Sequence, residues 1–211
     1  MKQLQEYIAF DLEFNTVGEH SHIIQVSAVK YSNHQEIALF DTYVHTKVPL
    51  QSFINGLTGI TARDIIGAPK IETILTDLQS FVGDTPLIGY NGHKSDLPLL
   101  VENGLDLTSQ YQVDLYDEAF VRRSTDLNGI VNLKLTTVAD FLGIKGKAHN
   151  SLEDARMTAR VYEKFLDLDE NKIYLKQQKE VIPVAFKPYS LAAVMISVPQ
   201  PQPISSNFPP G

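Results

Sequence analysis

The segment YIAFDLEF, residues 7–14, is dense in apolar and aromatic side chains, as expected of a β-strand buried on both faces. Asp11 and Glu13 lie two positions apart within it, so both carboxylates project from the same face of the strand. Burying two like charges is costly unless they are paired or coordinate a metal. The pair therefore indicates a metal site on a central strand, or else an edge strand whose two acids are simply solvated.

The rest of the chain predicts a mixed sheet flanked by helices. IIQVSAVKYS (23–32) and EIALFDTYVH (36–45) follow after short breaks, which predicts an antiparallel three-strand meander. PLIGY (86–90) adds a short apolar strand, and YQVDLYDEAF (111–120) combines a strand with the start of a helix. Helical periodicity marks IETILTDLQSFV (71–82), SDLPLLVENG (95–104), TTVADFLG (136–143) and HNSLEDARMTARVYEKFL (149–166). We therefore expect an α/β fold whose mixed central sheet adds parallel strands to the meander.

Composition excludes several classes of protein. No window reaches the roughly 18 uninterrupted apolar residues that a membrane span needs, and MKQLQEYIAF shows no signal sequence, so we expect a cytoplasmic protein with no membrane partner. The chain has no cysteine, which excludes disulfides, thiolate zinc sites and a cysteine nucleophile. Any metal must be held by carboxylate or imidazole, which favours hard ions such as Mg²⁺ or Mn²⁺.

The 211 residues divide by composition into three parts. We expect one folded domain over residues 1–168, because 43% hydrophobic residues can supply one substantial core. Residues 169–186 form an extension that we leave unassigned. Residues 187–211 are rich in Pro, Ser and Gln and end VPQPQPISSNFPPG, which predicts a flexible tail.

Two further groups of polar residues fall near the ends of predicted elements. Asp96 opens the helix after PLIGY, where open α/β sheets gather their ligands, although an acid in a first helical turn also favours the helix dipole. His149 and Asp154 begin the last helix, where Asn150 and Ser151 are candidate N-caps. Ser151 and Asp154 resemble a capping box, which explains the position of Asp154 but gives no reason for His149.

Taken together, these residues resemble the DEDDh, or DnaQ-like, family of 3′→5′ exonucleases, which includes the proofreading subunit of bacterial replicative DNA polymerase and the three-prime repair exonucleases. The Asp-x-Glu motif is Asp11-Leu12-Glu13, and His-x-x-x-x-Asp is His149 to Asp154. The second motif is NGHKSDLPLL (91–100), in the longer form of the repair exonucleases. INGLTGITARDIIGAP (54–69) resembles the segment that closes over the terminal nucleotide.

The resemblance covers about residues 5–166 and implies a ribonuclease H-like fold and a 3′→5′ exonuclease with two divalent cations, Mg²⁺ or Mn²⁺. It assigns His149 as general base. The implied metal ligands are Asp11, Glu13, Asp96 and Asp154, and the implied substrate contacts are Leu12, Leu57, Thr58 and Asn91. Two positions depart from the family pattern, since Tyr90 stands where histidine is common and Ser95 where a large residue often precedes the aspartate.

The expected substrate is the 3′ end of a nucleic acid, with single-stranded DNA favoured. A net charge of −7 fits such a partner because two divalent ions would offset the four acids where the phosphate binds. The same chemistry on RNA is the first alternative, since the sequence does not reveal which residues accept or exclude a 2′-hydroxyl. The second is a non-catalytic module that binds a DNA polymerase or another protein through its Pro-rich tail.

Overall fold

The computed structural model describes residues 1–146 and 150–181, with side chains through Lys176. Met1–Tyr174 form one compact unit. A second unit comprises Leu175–Gly211, and of it the structure describes the helical backbone of residues 175–181. The predicted general base His149 and the predicted tail 187–211 lie outside the described residues. The predicted boundaries after residues 168 and 186 stay predictions.

A five-stranded mixed sheet forms the centre of the compact unit, in the order β3-β2-β1-β4-β5. The strands are β1 (Glu6–Val17), β2 (His20–Ser32), β3 (Gln35–Tyr43), β4 (Leu87–Gly89) and β5 (Gln112–Asp114). β1 to β3 form the predicted antiparallel meander, whereas β4 pairs in parallel with both β1 and β5. The predicted mixed α/β sheet is therefore confirmed. β1 is the middle strand, so the edge-strand alternative for Asp11 and Glu13 is wrong.

Helices form in the four segments with helical periodicity and in the second half of residues 111–120, and two short helices lie before them in the chain. The helices are α1 (Ser52–Thr58), α2 (Ala62–Ile66), α3 (Ile71–Val82), α4 (Asp96–Glu102), α5 (Leu115–Arg122), α6 (Leu135–Phe141) and α7 (Ser151–Val181). Residues 169–181, which the sequence left unassigned, continue α7. Among the residues that the structure describes, no helix combines the length and apolar character needed to cross a membrane.

The two faces of β1 belong to two different cores. Tyr7 and Ala9 join the cluster that contains the buried residues of α5, α6 and α7. Ile8, Phe10 and Leu12 join the cluster that contains those of α3 and α4. Because side chains alternate along a strand, Asp11 and Glu13 share the face of Tyr7 and Ala9, which is the face toward α7.

Candidate active site

Three carboxylates converge between the central strand and the start of α7. One carboxylate oxygen each from Asp11, Glu13 and Asp154 lies within 4.8 Å of the others, and all three side chains are partly buried. The strand supplies two acids on the face toward α7, and the first turn of that helix supplies the third. Carboxylate oxygens are the ligands that Mg²⁺ and Mn²⁺ prefer, so this arrangement is chemically suited to a hard divalent cation.

Asp96 contacts the backbone of β1 between the two acids of that strand. Its Oδ1 accepts a hydrogen bond of 3.0 Å from the backbone N–H of Leu12, the residue between the two acids of the strand. Its Oδ2 accepts a hydrogen bond from the hydroxyl of Ser95. Asp96 lies outside the group of three, but it is buried, and its charge helps to raise the pKa of Asp11 and of Glu13. The structure thus brings together all four acids that the sequence predicted as metal ligands.

Burial and mutual repulsion raise the pKa values of these acids. Burial, followed by the charges of Asp96, Asp154 and Glu13, raises the pKa of Asp11 well above its usual range. Burial and the charges of Asp154 and Asp96 raise the pKa of Glu13 to about 7. Burial raises the pKa of Asp96 to about 6, although the hydrogen bonds from Ser95 and Leu12 oppose it. Clustered acids with raised pKa values are typical of functional sites, and a bound cation reverses the shift.

The raised pKa values predict how the metal-free protein responds to pH. An acid with a higher pKa in the folded state stabilises folding fully below its unfolded pKa, about 4 for Glu, and loses that contribution as pH rises through its folded pKa. For Glu13 this loss ends near the folded pKa of about 7. We expect Glu13→Gln to raise the thermal midpoint in EDTA at pH 8 and to leave it nearly unchanged at pH 4.

Thermal unfolding of wild type and variant between these pH values tests that expectation. Asp77→Asn, which removes an exposed carboxylate from α3, controls for the change in net charge. A Glu13→Gln gain of the same size at every pH would contradict this expectation, because the cost of burial and the repulsion by Asp154 and Asp96 exist only when Glu13 is ionised.

A buried chain of hydroxyl groups fixes the start of α7. Ser27 on β2 lies opposite Asp11 in the strand register, and its hydroxyl donates to Oδ1 of Asp41 at 2.7 Å. Ser27 Oγ and Ser151 Oγ are 2.5 Å apart and both residues are fully buried. Because Ser27 has one hydroxyl proton and Asp41 takes it, Ser151 is the donor to Ser27. This chain holds the first residue of α7, three positions before Asp154.

Of the two candidate N-caps of this helix, Asn150 is confirmed and Ser151 is not. Asn150 provides the cap, since its Oδ1 accepts from the backbone N–H of Glu153 at 3.3 Å. The hydroxyl of Ser151 donates to Ser27 and so ties the first residue of the helix to β2. Ser27 and Asp41 are contributors that the sequence analysis missed, because no local pattern connects strand residues to a helix more than a hundred positions later.

The predicted substrate contacts fall in different environments. The Leu12 side chain is buried in the core beside α3 and α4, so the structure places its backbone, not its side chain, nearest the acids. Leu57 on α1 is 45% exposed. The hydroxyl of Thr58 donates to the carbonyl of Ile54. These residues keep their substrate roles as predictions.

An open cleft of about 530 Å³ borders Asp154, one of the four acids. It is lined by Tyr90, Asn91, Tyr116, Asp154 and residues 133–136. Two aromatic rings and the side chain of Lys134 offer stacking surfaces and a positive charge, which suits a nucleotide. Tyr90, the departure from the family pattern, donates its hydroxyl to the carbonyl of Leu133 at 2.7 Å and so holds one wall of the cleft.

Comparison with known proteins identifies the family. The RNase T exonuclease model matches residues 8–162. The PolC-type DNA polymerase III of Caldanaerobacter subterraneus subsp. tengcongensis is 30% identical over 173 residues, which are 77% of this chain and 12% of that protein. The PolC-type polymerase of Clostridium perfringens is 30% identical over 160 residues, 74% of this chain and 11% of that protein. The chain thus spans about an eighth of the length of these relatives.

Solved structures share the fold at lower identity. The nuclease domain of 3′hExo, a DEDDh family member bound to rAMP, superposes with a TM-score of 0.64 at 19% identity and covers 77% of this chain and 92% of its own. E. coli exonuclease I in complex with a dT13 oligonucleotide gives a TM-score of 0.66 at 17% identity, covering 81% of this chain and 43% of its own. The predicted ribonuclease H-like fold and the DEDDh resemblance are confirmed, and the chain belongs to the RNase T exonuclease family.

Proposed function

We propose that this protein is a metal-dependent 3′→5′ exonuclease that releases nucleoside monophosphates from the 3′ end of DNA. The observation that carries the proposal is the convergence of Asp11, Glu13 and Asp154 within 4.8 Å, beside the buried Asp96. Family membership supports nuclease activity, and the acids supply the oxygen ligands that metal-assisted phosphodiester hydrolysis requires.

The four acids would hold two divalent cations, which when bound would supply a hydroxide and stabilise the charge on phosphorus and on the departing O3′. Asp11 would be the ligand shared by both cations, as the family resemblance implies, and its charge interacts with those of the other three acids. Glu13 and Asp154 would complete the site for the water-activating ion, and Asp96 would help to hold the other. The hydrogen bond from Leu12 fixes one oxygen of Asp96 and so orients its carboxylate.

His149 is the proposed general base. An imidazole with an ordinary pKa near 6.5 is largely unprotonated at neutral pH and can accept the proton of the attacking water. Carboxylates bound to metal are poor proton acceptors by comparison, which leaves the acids to hold cations and the imidazole to move the proton.

DNA is the favoured substrate because the 30%-identical relatives are DNA polymerases that carry the matching region within a longer chain. The same relatives support association with a DNA polymerase as the partner. RNA is the second candidate, since one similar structure is described as a 3′-exonuclease that recognises a histone mRNA stem-loop. The two substrates share the phosphodiester chemistry, and the 2′-hydroxyl is the group by which a protein tells RNA from DNA.

The test uses 5′-labelled single-stranded DNA and RNA of one sequence, with Mg²⁺, Mn²⁺ or EDTA. We expect a ladder on DNA that shortens from the 3′ end, needs metal, and yields nucleoside monophosphates. A faster ladder on RNA would reassign the substrate. Binding without cleavage in either metal would favour the non-catalytic module, and shortening from the 5′ end would overturn the proposed polarity.

A further inference from the structure

The carboxylate of Asp114, the last residue of β5, is buried and accepts three backbone hydrogen bonds. Oδ1 accepts from the N–H of Asn91 at 2.8 Å and from that of Tyr116 at 2.9 Å. Oδ2 accepts from the N–H of His93 at 3.1 Å. The bond from Tyr116 caps α5, but the other two reach across to the connection between β4 and α4, residues 90–95, which we call the β4–α4 turn.

The β4–α4 turn contains a residue in an uncommon backbone conformation. Asn91 has a φ of 61°, in the left-handed region that few residues with a side chain adopt and that Asn tolerates better than most. Its carbonyl accepts from the N–H of Lys94 at 3.1 Å. Asp114 therefore holds the first half of a turn whose second half leads directly into Asp96.

The turn lies next to the site acid Asp96. A methyl group added at Gly92 would lie 3.5 Å from Cζ of Phe10 and 3.8 Å from Oδ2 of Asp96. The carbonyl of Gly92 also accepts from the N–H of Leu97 at 2.9 Å, inside the first turn of α4. A shift of the Asn91–Gly92 backbone would therefore move Asp96 relative to its partner, the N–H of Leu12.

Asp114 also lies near the ring of His93, and with Asp117 these groups have the residue types of a metal site. The ring Nδ1 of His93 is 3.7 Å from Asp114 and 3.8 Å from Asp117, both longer than a hydrogen bond. The lone pairs of Asp114 are already directed at three N–H groups. The geometry favours the turn over a cation as the partner of this carboxylate.

We propose that Asp114 is a positioning residue of the exonuclease reaction, which sets the β4–α4 turn and through it Asp96 and Asn91. This rests on the proposed function. Asp114 touches neither metal nor substrate, and its effect on turnover is transmitted by the backbone. Because displacement of a reacting group by about 1 Å can cost 10²-fold in rate, loss of this carboxylate has a kinetic consequence beyond the stability of α5.

The first test replaces Asp114 with Asn, which keeps the size of the side chain but turns one acceptor into a donor. We expect turnover on 5′-labelled DNA to fall by about 10–100-fold at a temperature where the protein stays folded. Asp114→Glu, which keeps both acceptors, should recover part of the rate and serves if the Asn variant fails to fold. Turnover within twofold of wild type in the folded Asn variant would overturn the proposal.

The matched control is Asp106→Asn. Asp106 accepts hydrogen bonds from the N–H of Thr108 at 2.9 Å and from its hydroxyl at 2.6 Å, so it too is a carboxylate that holds a turn. It is exposed and belongs to none of the contacts described for the site. We expect its substitution to leave turnover unchanged.

A double-mutant cycle separates positioning from general destabilisation. If Asp114 acts through Asp96, adding Asp114→Asn to an Asp96→Asn enzyme should lower the residual rate by less than about threefold, because coupled residues are not additive. The full Asp114→Asn factor appearing again in that background would show that Asp114 acts by another route.

Hydrogen exchange gives a readout that needs no catalysis. The amide protons of Asn91 and His93 should be protected in the wild type and exchange faster in Asp114→Asn, while Asp106→Asn leaves them protected. Unchanged protection in Asp114→Asn would overturn the positioning role. If wild type fails to degrade DNA or RNA while the exchange result holds, the proposed function fails and Asp114 still holds the turn.

Discussion

Asp11→Ala is expected to lower exonuclease turnover by at least about 10³-fold while the protein stays folded. The loss follows from the central place of Asp11, whose carboxylate is next to Glu13 and Asp154 and whose charge also interacts with Asp96. Removal of a ligand shared by two cations removes several kcal/mol of transition-state stabilisation, and each factor of ten corresponds to about 1.4 kcal/mol. Removal also relieves repulsion among the remaining acids, so the metal-free fold should not weaken.

Single-turnover rates on 5′-labelled DNA at saturating Mg²⁺ or Mn²⁺ measure this effect, and circular dichroism checks the fold. Asp77→Asn on α3 is the control, because it removes an exposed carboxylate outside the site. A folded Asp11→Ala enzyme that keeps more than a tenth of the wild-type rate would show that the acids do not act as proposed.

His149→Ala is expected to lower turnover by about 10²–10⁴-fold with metal affinity largely kept, which is the usual contribution of a positioned general base. A base must be unprotonated to work, so the logarithm of the wild-type rate should rise with pH below the pKa of His149 and level off above it. The bend need not fall at 6.5, because nearby cations lower the pKa of an imidazole and nearby carboxylates raise it. The variant should lack this bend and recover part of its rate at high pH through hydroxide.

His20→Gln, at the exposed first position of β2, is the matched control for loss of an imidazole. Rates are compared between pH 5.5 and 9 at saturating metal. The metal concentration that gives half the maximal rate is measured at both of these pH values. Wild-type turnover and an unchanged pH profile in His149→Ala would remove the proposed base and leave this histidine as a helix-terminus residue.

The local sequence predicted the strands and helices, and the shared face of Asp11 and Glu13, because these follow from the spacing of residues along the chain. The apolar density of residues 7–14 predicted a strand buried on both faces, and β1 is the middle strand of the sheet. The period of two along a strand placed Asp11 and Glu13 on one face before any partner was known. Helical periodicity likewise predicted α3, α4, α6 and α7.

Only the tertiary structure decided which face of β1 meets which helix. Nothing in residues 7–14 distinguishes the side of Tyr7 and Ala9 from the side of Ile8 and Phe10, since both are apolar. Packing of α7 on the first side brings Asp154 to Asp11 and Glu13, and Asp96 reaches the same place through the N–H of Leu12.

The supporting contacts were equally hidden from the sequence. Ser27 meets Ser151 across 124 positions, and Asp114 holds Asn91 across 23, so no local pattern could connect them. Serine and aspartate are also common at turns and helix starts, where they bond to their own neighbours. Their partners are set by strand pairing and helix packing, which bring distant hydroxyl, carboxylate and backbone groups together only after the chain has folded.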